Sequence, residues 1–146
     1  ALQGQNTYVL PKPVEDDTYN FSYSGLKSSI INLVNKEKSH GNEIRKNDLA
    51  CSFQTVAVDE ICRKLELALK NTSIKNVVVA GGVSANKYLR GEIQKVTDKY
   101  NAKLCVPSLK YCTDNAAMIG AAAYPLYLKN DFTNLALNGV SQIDIC

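Results

Sequence analysis

The fold of this chain is decided by one stretch, Val77-Val78-Val79-Ala80-Gly81-Gly82-Val83-Ser84-Ala85-Asn86-Lys87-Tyr88-Leu89-Arg90. A β-branched apolar run leads into paired glycines, and a polar helix start follows. The glycines let a ligand lie against the backbone, and the helix N-terminus adds N–H groups and a partial positive charge. The stretch predicts an α/β fold with an anion-binding turn at Gly81 and Gly82. A tight strand-to-helix turn without a ligand is the alternative.

Two amphipathic helices are predicted before this stretch. The first begins near Ser24, and its apolar spacing breaks by Gly41. The second and longest begins near Asn47 or Asp48 and runs to about Lys70.

The stretch itself belongs to a predicted βαβ unit. The apolar residues from Ile74 to Ala80 predict a central parallel strand, buried on both faces. Ser84 is expected to cap the following helix, and Lys103 to Val106 are expected to form the second strand.

A last helix is predicted from Asn115 to about Tyr124. Thr113 or Asp114 is expected to cap it. Pro125 is expected to end or kink it, because proline has no N–H to donate and its ring clashes with the preceding turn.

Length and composition predict one soluble domain. A chain of 146 residues, 45% of them hydrophobic, can bury a single core. No apolar run approaches the about 20 residues of a membrane-spanning helix, so no membrane partner is expected. The five scattered cysteines form no CxxC pair, which is typical of reduced thiols in a cytoplasmic protein. The net charge of +3 is compatible with RNA contact, although a solvated face explains the same charges.

Two polar residues near the glycines are candidates for binding. Asn86 can offer a donor and an acceptor to a ribose or base edge, with a solvated helix residue as the alternative. Asp114 follows the second predicted strand, where open α/β sheets collect ligands, and its carboxylate can bind a metal ion. An ordinary helix cap is the alternative. Because one carboxylate does not hold a catalytic metal by itself, the other ligands are expected outside this chain.

Four blocks of the sequence are Asn20–Lys27, Ser52–Gln54, Ala80–Arg90 and Cys112–Ile119. Together and in this order they resemble the C-terminal part of the TsaD (Gcp) family of tRNA threonylcarbamoyladenosine transferases, formerly called O-sialoglycoprotein endopeptidases. The resemblance implies one lobe of an actin-like fold, the type of sugar kinases and heat-shock protein ATPases, in which two α/β lobes enclose a nucleotide. It also implies transfer of threonylcarbamoyl from threonylcarbamoyl-adenylate to the adenosine beside the tRNA anticodon.

By the same resemblance, Gly81, Gly82 and Asn86 match the nucleotide-side contacts, and Asp114 matches the ligand of a divalent metal, iron or zinc. The family's two metal-binding histidines belong to its N-terminal lobe as a His-x-x-x-His pair, whereas this chain has only His40. The resemblance therefore implies roughly the second half of an enzyme, inactive alone. The expected partners are tRNA, the adenylate substrate and other subunits of the threonylcarbamoyl-transfer complex. Self-association is expected through apolar surface that the missing lobe would cover.

Along the chain we expect an irregular lead-in at residues 1–20, the lobe at 21–130 and a C-terminal tail at 131–146. Two other functions stay open. A metal-dependent endopeptidase would need an HExxH motif, which this sequence lacks. A non-catalytic nucleotide-binding interaction module would need no catalytic residue.

Overall fold

The structure, a computed structural model, describes residues 1–13 and 16–140. Helices α1 to α4 and strands β1 and β2 make up its regular structure in these residues: α1 Ser24–Ser39, α2 Lys46–Asn71, β1 Asn76–Val78, α3 Lys87–Lys99, β2 Lys103–Cys105 and α4 Ala116–Leu128. Short 3₁₀ turns follow the strands, at Gly82–Ala85 and Leu109–Tyr111. The structure is thus a mixture of helices and a small parallel sheet, which is compatible with the predicted α/β class. Residues 141–146 of the predicted tail and 14–15 of the lead-in lie outside the described residues.

The strands and the helix between them form the predicted βαβ unit. The strands are parallel, with Val77 opposite Leu104. The apolar face of α3 buries Leu89 and Ile93 against Val58 of α2, and Leu104 packs on the same cluster. Because the strands are parallel, their carboxyl ends lie at the same edge of the sheet. The loops that follow β1 and β2 therefore start side by side.

The prediction of a central strand buried on both faces is wrong for the described part of the chain. β1 is shorter than the predicted Ile74–Ala80, and it pairs with β2 on one side only. Val78 is 73% exposed. The β-branched run favours a strand, but burial of the second face needs another layer of structure, which residues 1–13 and 16–140 do not supply.

The segment before α1 packs on α2 without forming a helix or strand in its described residues. Leu10 is buried in a cluster with Leu26 of α1 and Leu49 of α2. The backbone N–H of Tyr8 donates to the hydroxyl of Ser52, which is fully buried, at 3.0 Å. The boundaries of the lead-in, lobe and tail stay predictions.

The start and the end of α4 both differ from the prediction. Asn115 caps the helix instead of Thr113 or Asp114, because its Oδ1 accepts the N–H three residues along at 3.1 Å. The helix does not end at Pro125 but continues to Leu128, and the alternative of a kink at Pro125 stays a prediction. A proline removes one backbone donor, and the three residues after it keep theirs, so the final turn still closes. No helix in the described residues has both the length and the apolar character to cross a membrane.

Candidate functional site

The candidate site lies between the loops that follow β1 and β2. The first loop carries Gly81, Gly82 and Asn86, and the second carries Thr113 and Asp114. A Cβ atom added to Gly82 would lie 3.9 Å from Cγ2 of Thr113. The structure therefore brings the glycine pair next to the segment that carries the predicted metal ligand, at the edge where parallel sheets bind ligands.

The backbone conformation requires a glycine at only one of these two positions. Gly81 has φ +88° and ψ 168°, a region that residues with a side chain adopt only under strain. Gly82 has no positive φ, and an added Cβ would make an ordinary van der Waals contact. The fold thus explains glycine at Gly81 and leaves glycine at Gly82 unexplained.

The turn after β1 presents free backbone donors. The N–H groups of Gly82 and Val83 find no acceptor among residues 1–13 and 16–140, whereas the N–H of Ser84 donates to the carbonyl of Gly81 at 3.0 Å. Gly82 and Val83 are exposed. Two adjacent free N–H groups in an exposed turn can bind phosphate or carboxylate oxygens.

Asn86, and not Ser84 as predicted, caps α3. The Oδ1 atom of Asn86 accepts the N–H groups of Tyr88 at 2.9 Å and Leu89 at 3.1 Å, and Nδ2 donates to Oε1 of Gln54 at 2.9 Å. Ser84 lies earlier, in the 3₁₀ turn, where its buried hydroxyl has no partner in the described part of the chain. Asn86 is half-buried, so the alternative of a solvated helix residue is wrong. The second N–H of its Nδ2 has no acceptor in the part of the chain that the structure describes.

Arg90 connects the two loops, a role that the sequence analysis missed. Its Nε donates to the carbonyl of Ser84 in the first loop. Its Nη2 donates to the carbonyl of Pro107 at 2.9 Å and to Sγ of Cys112 at 3.1 Å in the second. Cys112 is 3% exposed and serves as a structural acceptor. The spacing of one helical turn between Asn86 and Arg90 was the available signal, since such residues share a helix face.

Asp114 offers an exposed carboxylate between the second 3₁₀ turn and α4. Among residues 1–13 and 16–140, no group of three His, Cys, Asp or Glu side chains could hold a metal ion. The described residues therefore provide one oxygen ligand at this position and no complete metal site. A metal bound to Asp114 would need further ligands from outside the chain.

Known proteins resemble this chain over most of its length. The family model described as TsaD, tRNA N6-adenosine threonylcarbamoyltransferase, matches residues 1–121. Proteins of that name are 44% identical to the chain in Staphylococcus haemolyticus, 41% in Staphylococcus aureus and 40% in Thermosipho africanus. The alignments cover 97–99% of this chain but only 42–43% of each relative. The chain thus spans less than half the length of the curated relatives it matches.

Proposed function

Because this chain belongs to the tRNA N6-adenosine threonylcarbamoyltransferase family, we propose that it supplies the adenylate-binding half of such an enzyme. The whole enzyme transfers threonylcarbamoyl from threonylcarbamoyl-adenylate to the adenosine beside the tRNA anticodon. The observation that carries the proposal is the exposed turn at Gly82, where free N–H groups lie next to the loop of Asp114. The isolated chain is inactive in this proposal.

Each residue of the turn has a separate part in binding the adenylate. The free N–H groups of Gly82 and Val83 bind the phosphate oxygens, and the missing side chain of Gly82 lets the phosphate approach. The remaining N–H of Asn86 Nδ2 donates to the ribose or base. Arg90 keeps the two loops at a constant distance without touching the ligand.

Asp114 is proposed as one ligand of a divalent metal, iron or zinc, shared with residues outside this chain. Its exposed carboxylate fits such a role, and it has no other assignment because Asn115 caps α4. When bound, a divalent ion polarises a carbonyl group toward attack by an amine. The isolated chain should therefore hold no stoichiometric iron or zinc after dialysis, as elemental analysis would measure.

The fold, the location and the partners are also proposed from membership of this family. The chain forms one lobe of an actin-like fold in the cytoplasm, with tRNA and other subunits of the transfer complex as partners. The isolated chain self-associates through α4, in which no residue is buried. Neither alternative function is favoured, because the relatives are named as transferases and the single His40 cannot complete an HExxH motif.

A chimeric enzyme tests the function. The 146 residues replace the aligned segment of the S. haemolyticus relative, and threonylcarbamoyladenosine in tRNA is measured by nucleoside mass spectrometry. The chimera should modify tRNA, and Asp114→Asn should abolish modification without changing the melting temperature. Asp131→Asn, at another exposed carboxylate, is the matched control and should retain activity. Normal modification by the Asp114→Asn chimera would refute the metal-ligand assignment.

A second experiment isolates adenylate binding at the turn. In the chimera, Gly82→Val should weaken binding of a non-hydrolysable adenylate analogue at least tenfold in calorimetric titration. The fold should survive, because backbone φ at Gly82 is compatible with a side chain and the nearest atom is 3.9 Å from the added Cβ. Unchanged affinity in a folded variant would mean that the nucleotide binds elsewhere.

A further inference from the structure

An apolar groove separates α1 from the first half of α2. Its volume is about 920 Å³, and it shares no residue with the candidate site. One wall is formed by Ile30, Ile31 and Val34 of α1, and the other by Leu49 and Phe53 of α2. Val34 lies four positions after Ile30 and three after Ile31. Phe53 lies four after Leu49, so each wall is one face of its helix.

The walls of this groove leave large apolar side chains in contact with water. Ile31 is 49% exposed and Phe53 is 43% exposed. A contiguous exposed apolar patch of this kind marks a surface that binds a partner. Two apolar stripes that line one groove suit an amphipathic helix, whose own apolar face fills the groove.

The charged side chains around the groove indicate which charge a bound helix would carry. The charged side chains lining it are Lys27, Lys38 and Lys46, with no Asp or Glu among the lining residues. Within residues 1–13 and 16–140, none of these three lysines forms an ion pair with a carboxylate. Lys27 and Lys38 are eleven residues apart on α1, or roughly 16 Å along the helix at 1.5 Å per residue, so they stand near the two ends of the groove.

We propose that this groove binds an amphipathic helix of another polypeptide, with an apolar stripe and acidic residues along its edges. The apolar stripe would cover Ile31 and Phe53, and the carboxylates would pair with the lysines and set the orientation of the helix. The exposed helix α4 of a second copy is a poorer match, because Ala116–Leu128 contains no Asp or Glu. This interaction goes beyond the proposed transfer reaction and does not depend on it.

A pair of synthetic peptides tests the proposal. Each is a 16-residue helix, the length of α1, with leucines on one face and either glutamates or lysines along both edges. Fluorescence anisotropy should show at least tenfold tighter binding of the glutamate peptide to the 146-residue chain. The triple variant Lys27→Glu, Lys38→Glu, Lys46→Glu should reverse that preference, and added salt should reduce it.

Matched apolar variants locate the binding surface. Ile31→Asp should abolish peptide binding, whereas Ile119→Asp, at an isoleucine of α4 that is 73% exposed, should leave it unchanged. Phe53→Ser provides a second groove variant, and a urea melt verifies that each variant folds. Equal binding of both peptides, or a preference that the triple lysine variant does not reverse, would overturn the proposal.

Two further outcomes would assign the groove to another occupant and so overturn the proposal. In sedimentation analysis, dissociation of a dimer by Ile31→Asp but not by Ile119→Asp would show that a second copy fills the groove. Glutamate-peptide binding to the isolated chain but not to the S. haemolyticus chimera would show that the remainder of the longer protein covers it.

Discussion

Replacing Asn86 by alanine should destabilise the chain by about 2 kcal/mol, in two separable parts. Loss of the cap on Tyr88 and Leu89 costs about 1 kcal/mol, the usual value for an asparagine N-cap. Loss of the bond to Gln54 leaves a half-buried amide oxygen without its donor, for about 1 kcal/mol more. At roughly 4 °C per kcal/mol, the melting temperature should fall by about 8 °C.

The variant Asn86→Asp separates the loss of the helix cap from the loss of the hydrogen bond to Gln54. Aspartate keeps a cap oxygen for the N–H groups of Tyr88 and Leu89 but has no N–H to donate to Gln54. Its negative charge also suits the N-terminus of α3. The Asp variant should therefore lose about 1 kcal/mol, half the loss of the Ala variant, as measured by urea denaturation followed by circular dichroism.

Asn115→Ala provides the control for cap loss alone. Asn115 caps α4, which buries no residue, so its removal should change the global unfolding free energy by less than about 1 kcal/mol. An Asn86→Ala variant as stable as the unchanged chain would show that neither the cap nor the bond to Gln54 stabilises the fold. A loss from Asn86→Asp as large as that from Asn86→Ala would show that Gln54, and not the cap, dominates.

Three other predictions concern the backbone, acid stability and thiol reactivity. Gly81→Ala should cost about 1–3 kcal/mol in a urea melt, because φ +88° strains any residue with a Cβ, whereas Gly82→Ala should cost less than about 0.5 kcal/mol. A hydrogen bond from a buried lysine of α2 lowers the pKa of Asp16. The pair of Asp16 and Lys64 should therefore stabilise the fold fully above the ordinary Asp pKa of about 3.9, and this stabilisation should decline as pH falls through the lowered pKa. Asp16→Asn should flatten that part of the stability–pH curve. Burial raises the pKa of Cys62 to about 11, so iodoacetamide near neutral pH should label the exposed Cys105 much faster, and equal rates in peptide mapping would contradict this.

Local sequence patterns were enough to predict the elements and the family. Helical spacing placed α1 and α2 within one or two residues of their observed starts, because an amphipathic stripe reports the face that a helix buries whatever it packs against. The strand–glycine–helix stretch predicted the βαβ unit, since β-branched residues and paired glycines restrict the backbone locally. Separated sequence blocks predicted the family that the comparisons confirm.

Long-range packing sets which side chain caps α3 and which side chain bridges the two loops. Ser84 and Asn86 are both good caps by residue type, but the cap is the residue whose backbone is extended where the helix begins, and only the packing of α3 places that point at Asn86. Arg90 bridges to Pro107 and Cys112, which lie 17 and 22 positions further along the chain. Its one-turn spacing from Asn86 indicates a shared helix face but does not identify these distant partners. The groove between α1 and α2 likewise depends on the distance between two helices. Sequence periodicity reports the buried face of one element, whereas a site depends on how separate elements are placed relative to one another, and long-range packing sets that placement.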